Sequence, residues 1–103
     1  MTIEFARSAI LLNPEHFAKD FYDWLNDNWH VYLAFAREAD KVWARGRTHY
    51  SARTIWEYLR HETLLREVSG EYKLNDHFTK SCALLYIFFN PKAEGFFEFR
   101  GKV

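Results

Sequence analysis

One cysteine, two prolines and four glycines are all the chain spends on covalent staples and backbone punctuation across 103 residues. A lone Cys82 excludes an intramolecular disulfide and any zinc site built on cysteines within one chain, and it fits a reducing compartment. The glycines, at 46, 70, 95 and 101, stand singly, so no glycine-rich loop exists to cradle phosphate. The longest apolar run, Cys82 to Phe89, has eight residues. Spanning a bilayer as a helix takes about 20, so no membrane partner is expected. The run Ala9 to Leu12 is stopped by Asn13-Pro14, too short for a signal peptide's apolar region. Net charge is also missing: 14 bases balance 14 acids.

Large rings are what the chain has in excess. Aromatics reach 19% within a hydrophobic content of 49%, which excludes a disordered chain and predicts one core built on rings, a single domain over residues 1–103. The balanced charge is unevenly spread. Residues 1–40 hold seven acids and three bases, net −4; residues 41–103 hold eleven bases and seven acids, net +4. A neutral protein binds nucleic acid through a segregated basic face, and the second half offers one.

Periodicity predicts a mainly α fold, a small bundle of about four helices with a short two-stranded antiparallel ribbon. Asn13-Pro14-Glu15 reads as a cap, a proline at the first helical position and an acid at the positive helix end. Phe17, Phe21, Trp24 and Leu25 continue as one stripe, predicting a helix over 14–26. Asn26-Asp27-Asn28 ends it and caps a second, over 29–45, whose stripe is Tyr32, Phe35, Ala36, Ala39, Val42 and Trp43. Gly46 suits the left-handed residue that closes a helix, and Ser51 the cap of a third over 52–67, expected to bury Ile55, Tyr58, Leu59, Leu65 and Val68. A fourth, capped at Asn75 or Asp76, runs to Phe89 with Phe78, Cys82, Leu85, Tyr86 and Phe89 inward. The run 82–89 is apolar all round, which marks the most buried element and also suits a buried strand. Glu71 to Leu74 and Phe97 to Arg100 alternate and form the expected ribbon. Residues 1–12 read as a short strand or helix.

No catalytic constellation emerges. The five histidines share no i, i+4 spacing for a metal, and Cys82 lies among apolar neighbours that make an inert thiol. Asp20, Asp23 and Asp27 read as a solvated face. No enzyme, cofactor or metal is expected. What remains is a basic segment: Lys41, Arg45, Arg47, Arg53 and Arg60 against Glu57 give a local excess of +4 over residues 41–60. A helix, a turn on Gly46 and a capped second helix have the layout of a helix-turn-helix. Arg45, Arg47, His49 and Tyr50 fall in the turn, with Arg53, Thr54 and Arg60 on the helix that follows. Arginine-rich turns and helix starts hold phosphate, and the first turn of such a helix reads bases, so double-stranded DNA is the expected partner. The same charges serve equally as a solvated face, and the acidic first half or exposed aromatics would then engage a host protein, as a monomer or a homodimer.

Four motifs carry a resemblance. Asn28-Trp29-His30-Val31-Tyr32 with Phe35, His49 through Arg60 (HYSARTIWEYLR), Glu71-Tyr72-Lys73-Leu74-Asn75 and Gly95-Phe96-Phe97-Glu98-Phe99-Arg100 follow in order across residues 28–100. Together they resemble an uncharacterised family of small proteins from tailed phages and prophages. The sequence departs at Asp76-His77-Phe78-Thr79-Lys80-Ser81, where that family carries an asparagine run and Ala-Pro-Tyr-Tyr. The resemblance implies a phage origin and action in the cytoplasm of a bacterial host, and it transfers no site residue.

Overall fold

A computed structural model describes residues 2–47, 49–61 and 78–98. Over these the protein is a mainly helical domain of five α-helices: α1 (Ile3–Leu12), α2 (Phe21–Asp27), α3 (Trp29–Ala44), α4 (Ala52–Arg60) and α5 (Thr79–Phe89). Two 3-10 turns, Pro14–His16 and Pro91–Ala93, and two short strands, β1 (Tyr50–Ser51) and β2 (Phe97–Glu98), complete it. Among the described residues no helix is long and apolar enough to cross a membrane.

Residues 3–12 are a helix because both ends are satisfied. The Thr2 hydroxyl accepts from the Phe5 N–H at 3.2 Å, and the Asn13 amide donates to the Ala9 carbonyl at 2.9 Å. Ala6, Ala9 and Ile10 form its buried stripe. The helix expected from residue 14 is interrupted. Only Pro14–His16 coils, Phe17 is extended (φ −122°, ψ 154°), and α2 starts at Phe21. The cause is a competing acceptor: the Ala18 N–H, which a continuous helix would direct to Pro14, donates instead to the Ser81 hydroxyl of α5 at 2.9 Å. Asn28 joins α2 to α3. Its amide donates back to the Trp24 carbonyl at 2.9 Å, so the side chain closes α2 rather than capping α3.

α3 buries Val31, Tyr32, Ala34, Phe35, Ala36, Ala39 and Val42, and Trp43 is half-buried. It stops as expected at Gly46, whose φ of +84° is the left-handed conformation that glycine adopts without steric cost. α4 is capped by Ser51, whose hydroxyl accepts from the Thr54 N–H at 3.3 Å. Its buried set is Ala52, Ile55, Trp56 and Leu59, an i, i+3, i+4, i+7 stripe. Tyr58, expected inside, lies off that stripe and is 49% exposed, while Trp56 is fully buried. α4 ends at Arg60, where the His61 N–H returns to the Tyr58 carbonyl at 3.1 Å, short of the residue 67 expected, and α5 starts at Thr79 after Phe78; Leu65, Val68, Asn75, Asp76 and the strand at 71–74 fall outside the described residues.

Residues 79–89 are helical, which settles the choice between helix and strand for the run 82–89. Cys82, Ala83, Leu85 and Tyr86 are buried, but Leu84, Ile87, Phe88 and Phe89 are only half-buried. The helix lies against α1, α3 and α4, and Phe17 and Ala18 before α2 also meet it, yet half of its apolar run is only partly covered. The core is a continuous array of rings. Trp56 of α4 meets Trp24 of α2 at 6.2 Å and Phe35 of α3 at 6.1 Å between centroids, and Phe35 meets Phe97 of β2 at 5.7 Å. Each such pair adds about 0.5–1.5 kcal/mol beyond the area it buries.

The described residues hold a pairing that was not expected, while the expected antiparallel partner at 71–74 lies outside them. Phe97–Glu98 pairs in parallel with Tyr50–Ser51, in the register Tyr50 to Phe97 and Ser51 to Glu98. Parallel pairing needs a long crossover, and residues 52–96, which carry α4 and α5, supply it. The Tyr50 N–H donates to the Phe96 carbonyl at 2.9 Å, and Phe96 and Phe97 are both buried, so β2 is an inner segment rather than one face of an exposed hairpin.

Candidate nucleic-acid interface

The α3–α4 connection is built from both its ends and from the side. The Gly46 N–H returns to the Trp43 carbonyl at 3.0 Å and closes α3; the Ser51 hydroxyl opens α4; the β1–β2 pair holds Tyr50 and Ser51 against β2. Seven residues, 45–51, separate the helices. That is longer than the three- or four-residue turn of a helix-turn-helix, and it contains a strand. The two helices nevertheless pack directly, through Phe35 and Trp56.

Arg45, Arg47, His49, Arg53 and Thr54 are exposed, and Tyr50 is half-buried. Arg60 ends α4, and its side chain lies outside the described residues. Tyr50 has two roles: its backbone donates to β2, and its ring lies beneath the Arg47 guanidinium, 5.4 Å from the centroid. Stacking of this kind, about 0.5–1 kcal/mol at an exposed site, restrains the guanidinium while leaving its edge donors to solvent. Arg53 faces Glu57 one turn on, with 4.0 Å between Nε and Oε2. At that distance and exposure the pair contributes little. The geometry therefore supplies several cationic donors along one connection and the first turn of one helix.

The other candidates separate clearly. Cys82 is wholly buried, and desolvation pushes its thiol well above the ordinary range, the setting of an inert thiol. Among the described residues no three His, Cys, Asp or Glu side chains converge as metal ligands would. Two features went unread in the sequence. One is the exposed ring of Tyr58 on α4, visible in retrospect because residues 52, 55, 56 and 59 make a complete stripe without it. The other is a hydrogen bond from the Tyr86 hydroxyl to Asp40 Oδ1 at 2.6 Å, spanning 46 residues, for which no local pattern exists. Set against protein-family models, curated proteins and solved structures, the chain matches none.

Proposed function

We propose that this is a non-enzymatic phage or prophage accessory protein that acts in the bacterial cytoplasm and binds double-stranded DNA through the α3–α4 connection. The observation that carries the reading is the shared exposure of Arg45, Arg47, His49, Arg53 and Thr54, with Arg47 braced over Tyr50. Arg45, Arg47 and His49 would hold phosphates, and Arg53 and Thr54, in the first turn of α4, would lie nearest the bases. Because net charge is zero, binding rests on locally clustered cations and weakens steeply with salt. Fluorescence anisotropy on labelled duplex at rising salt tests it. Arg47→Ala and Arg53→Ala should each weaken binding and flatten the salt slope by about one. Failure to bind any duplex at low salt would sink the proposal.

A second reading is favoured by α1. Leu12 is 78% exposed, Leu11 64% and Phe5 47%, apolar side chains along α1 that a protein-interaction module would use to inhibit or recruit a host or defence factor. A stoichiometric partner recovered from host lysate after nuclease treatment, and lost on Leu12→Glu, would favour it over DNA binding.

A further inference from the structure

Away from the basic connection, a cavity of about 150 Å³ opens between the C-terminal half of α3 and the turn after α5, lined by Asp40, Trp43, Tyr86, Asn90, Lys92 and Ala93. Its walls are fixed. Tyr86 is 2% exposed, and its hydroxyl holds one oxygen of Asp40 at 2.6 Å. Trp43 stands edge-on to Phe96, with centroids 5.1 Å apart and planes at 84°. The Asn90 amide nitrogen donates to the Tyr86 carbonyl at 3.0 Å, so its oxygen is the acceptor it has left. Asp40 and Lys92 thus line one cavity with opposite charges, yet among the described residues no ion pair within 4.0 Å joins them or engages either. Two opposite charges with no ion-pair partner among the described residues, set across an aromatic-walled space, complement a molecule that carries the same two charges in reverse.

We propose that this cavity binds a small zwitterion, with its ammonium against Asp40, the Asn90 oxygen and the Trp43 ring, and its carboxylate against Lys92. A carboxylate and an indole face are the two strongest side-chain partners for an ammonium group. The volume, below the roughly 300–1,000 Å³ of drug-sized sites, restricts the ligand to the size of an amino acid. This site is independent of the DNA reading.

The test uses the intact protein and the ω-amino acid series from glycine to 6-aminohexanoate, with n-butylamine and butyrate as single-charge controls. Binding is followed by the indole N–H resonance of Trp43, assigned through Trp43→Phe. One chain length should shift that resonance at about 10 mM ligand or below and bind at least about fivefold tighter than either control. Lys92→Gln should lower its affinity about fivefold while leaving n-butylamine unaffected, and Asp40→Asn should weaken both. Both residues are exposed, and unchanged helical circular dichroism of each variant verifies that the fold is retained, for Asp40→Asn in particular because Asp40 accepts from Tyr86. Absence of any shift across the series would overturn the proposal. So would n-butylamine binding as tightly as the best zwitterion, or Lys92→Gln without effect.

Discussion

The Ser81 hydroxyl, in the first turn of α5, takes the backbone N–H of Ala18 at 2.9 Å, and the chain between Pro14 and Phe21 breaks from helix at that point. Ser81 is buried. Ser81→Ala leaves the Ala18 N–H without an acceptor in a half-buried setting, which costs about 1–3 kcal/mol. Urea unfolding should show that loss in the midpoint with the slope unchanged. An unchanged midpoint would mean that the break is a property of residues 17–20 themselves.

Tyr32 presents the opposite case. Its ring is fully buried, stacked on Trp29 at 5.3 Å, and among the described residues its hydroxyl finds no hydrogen-bond partner. A buried hydroxyl that bonds nothing carries its desolvation cost uncompensated. Tyr32→Phe should therefore leave stability unchanged or raise it by up to about 1 kcal/mol. A loss of more than that in thermal or urea unfolding would show the hydroxyl to be engaged.

Tyr32 and Tyr86 together set the alkaline limit of the fold. Burial pushes Tyr32 and Tyr86 far above the ordinary 10.0, with Asp40 adding to the effect on both; for Tyr86 the hydrogen bond to that carboxylate requires the proton. The folded state thus holds protons that the unfolded chain releases near pH 10. Stability is complete below that pH and falls as pH rises through and above it. Melting temperature should be flat up to about pH 9 and drop beyond 10. Tyr32 and Tyr86 should ionise only in step with the loss of helical circular dichroism. Their ionisation while the helices persist would contradict the burial.

Two aromatic residues two positions apart on α4 should respond differently to truncation. Trp56, fully buried among Trp24 and Phe35, should cost about 3–5 kcal/mol as Trp56→Ala, a large share of the stability of a domain this size. Tyr58→Ala should stay within about 1 kcal/mol. Denaturation of the two variants side by side checks the assignment of the buried stripe.

Where signals are local, sequence and structure agree. Gly46 closing α3, Ser51 capping α4, the stripe of α3 and the stop at Asn90 each depend on residues within one or two turns. Where the deciding partner is distant they diverge. Nothing near Ala18 reveals that Ser81 will take its N–H, and nothing near Phe97 reveals that Tyr50 is its strand partner. Tyr58 is a different kind of miss, since helical angles alone exclude it from the stripe that Trp56 completes. For the candidate site the sequence indicated which residues carry the charge. It could not indicate that Arg47 rests on Tyr50, because that depends on β1 being held by β2.

The parallel pairing of Tyr50–Ser51 with Phe97–Glu98 also imposes an order on synthesis. α1, α2 and α3 find some of their partners in one another and others in α4 and α5, whereas the connection that carries Arg45, Arg47 and His49 also waits for Phe97 and Glu98 to leave the ribosome before β1 can pair. The basic segment is among the earlier residues to be translated and among the last to be fixed in place. A nascent chain that stalls before β2 would carry its arginines on a connection without its strand partner, so the emergence of β2 is the checkpoint for that surface.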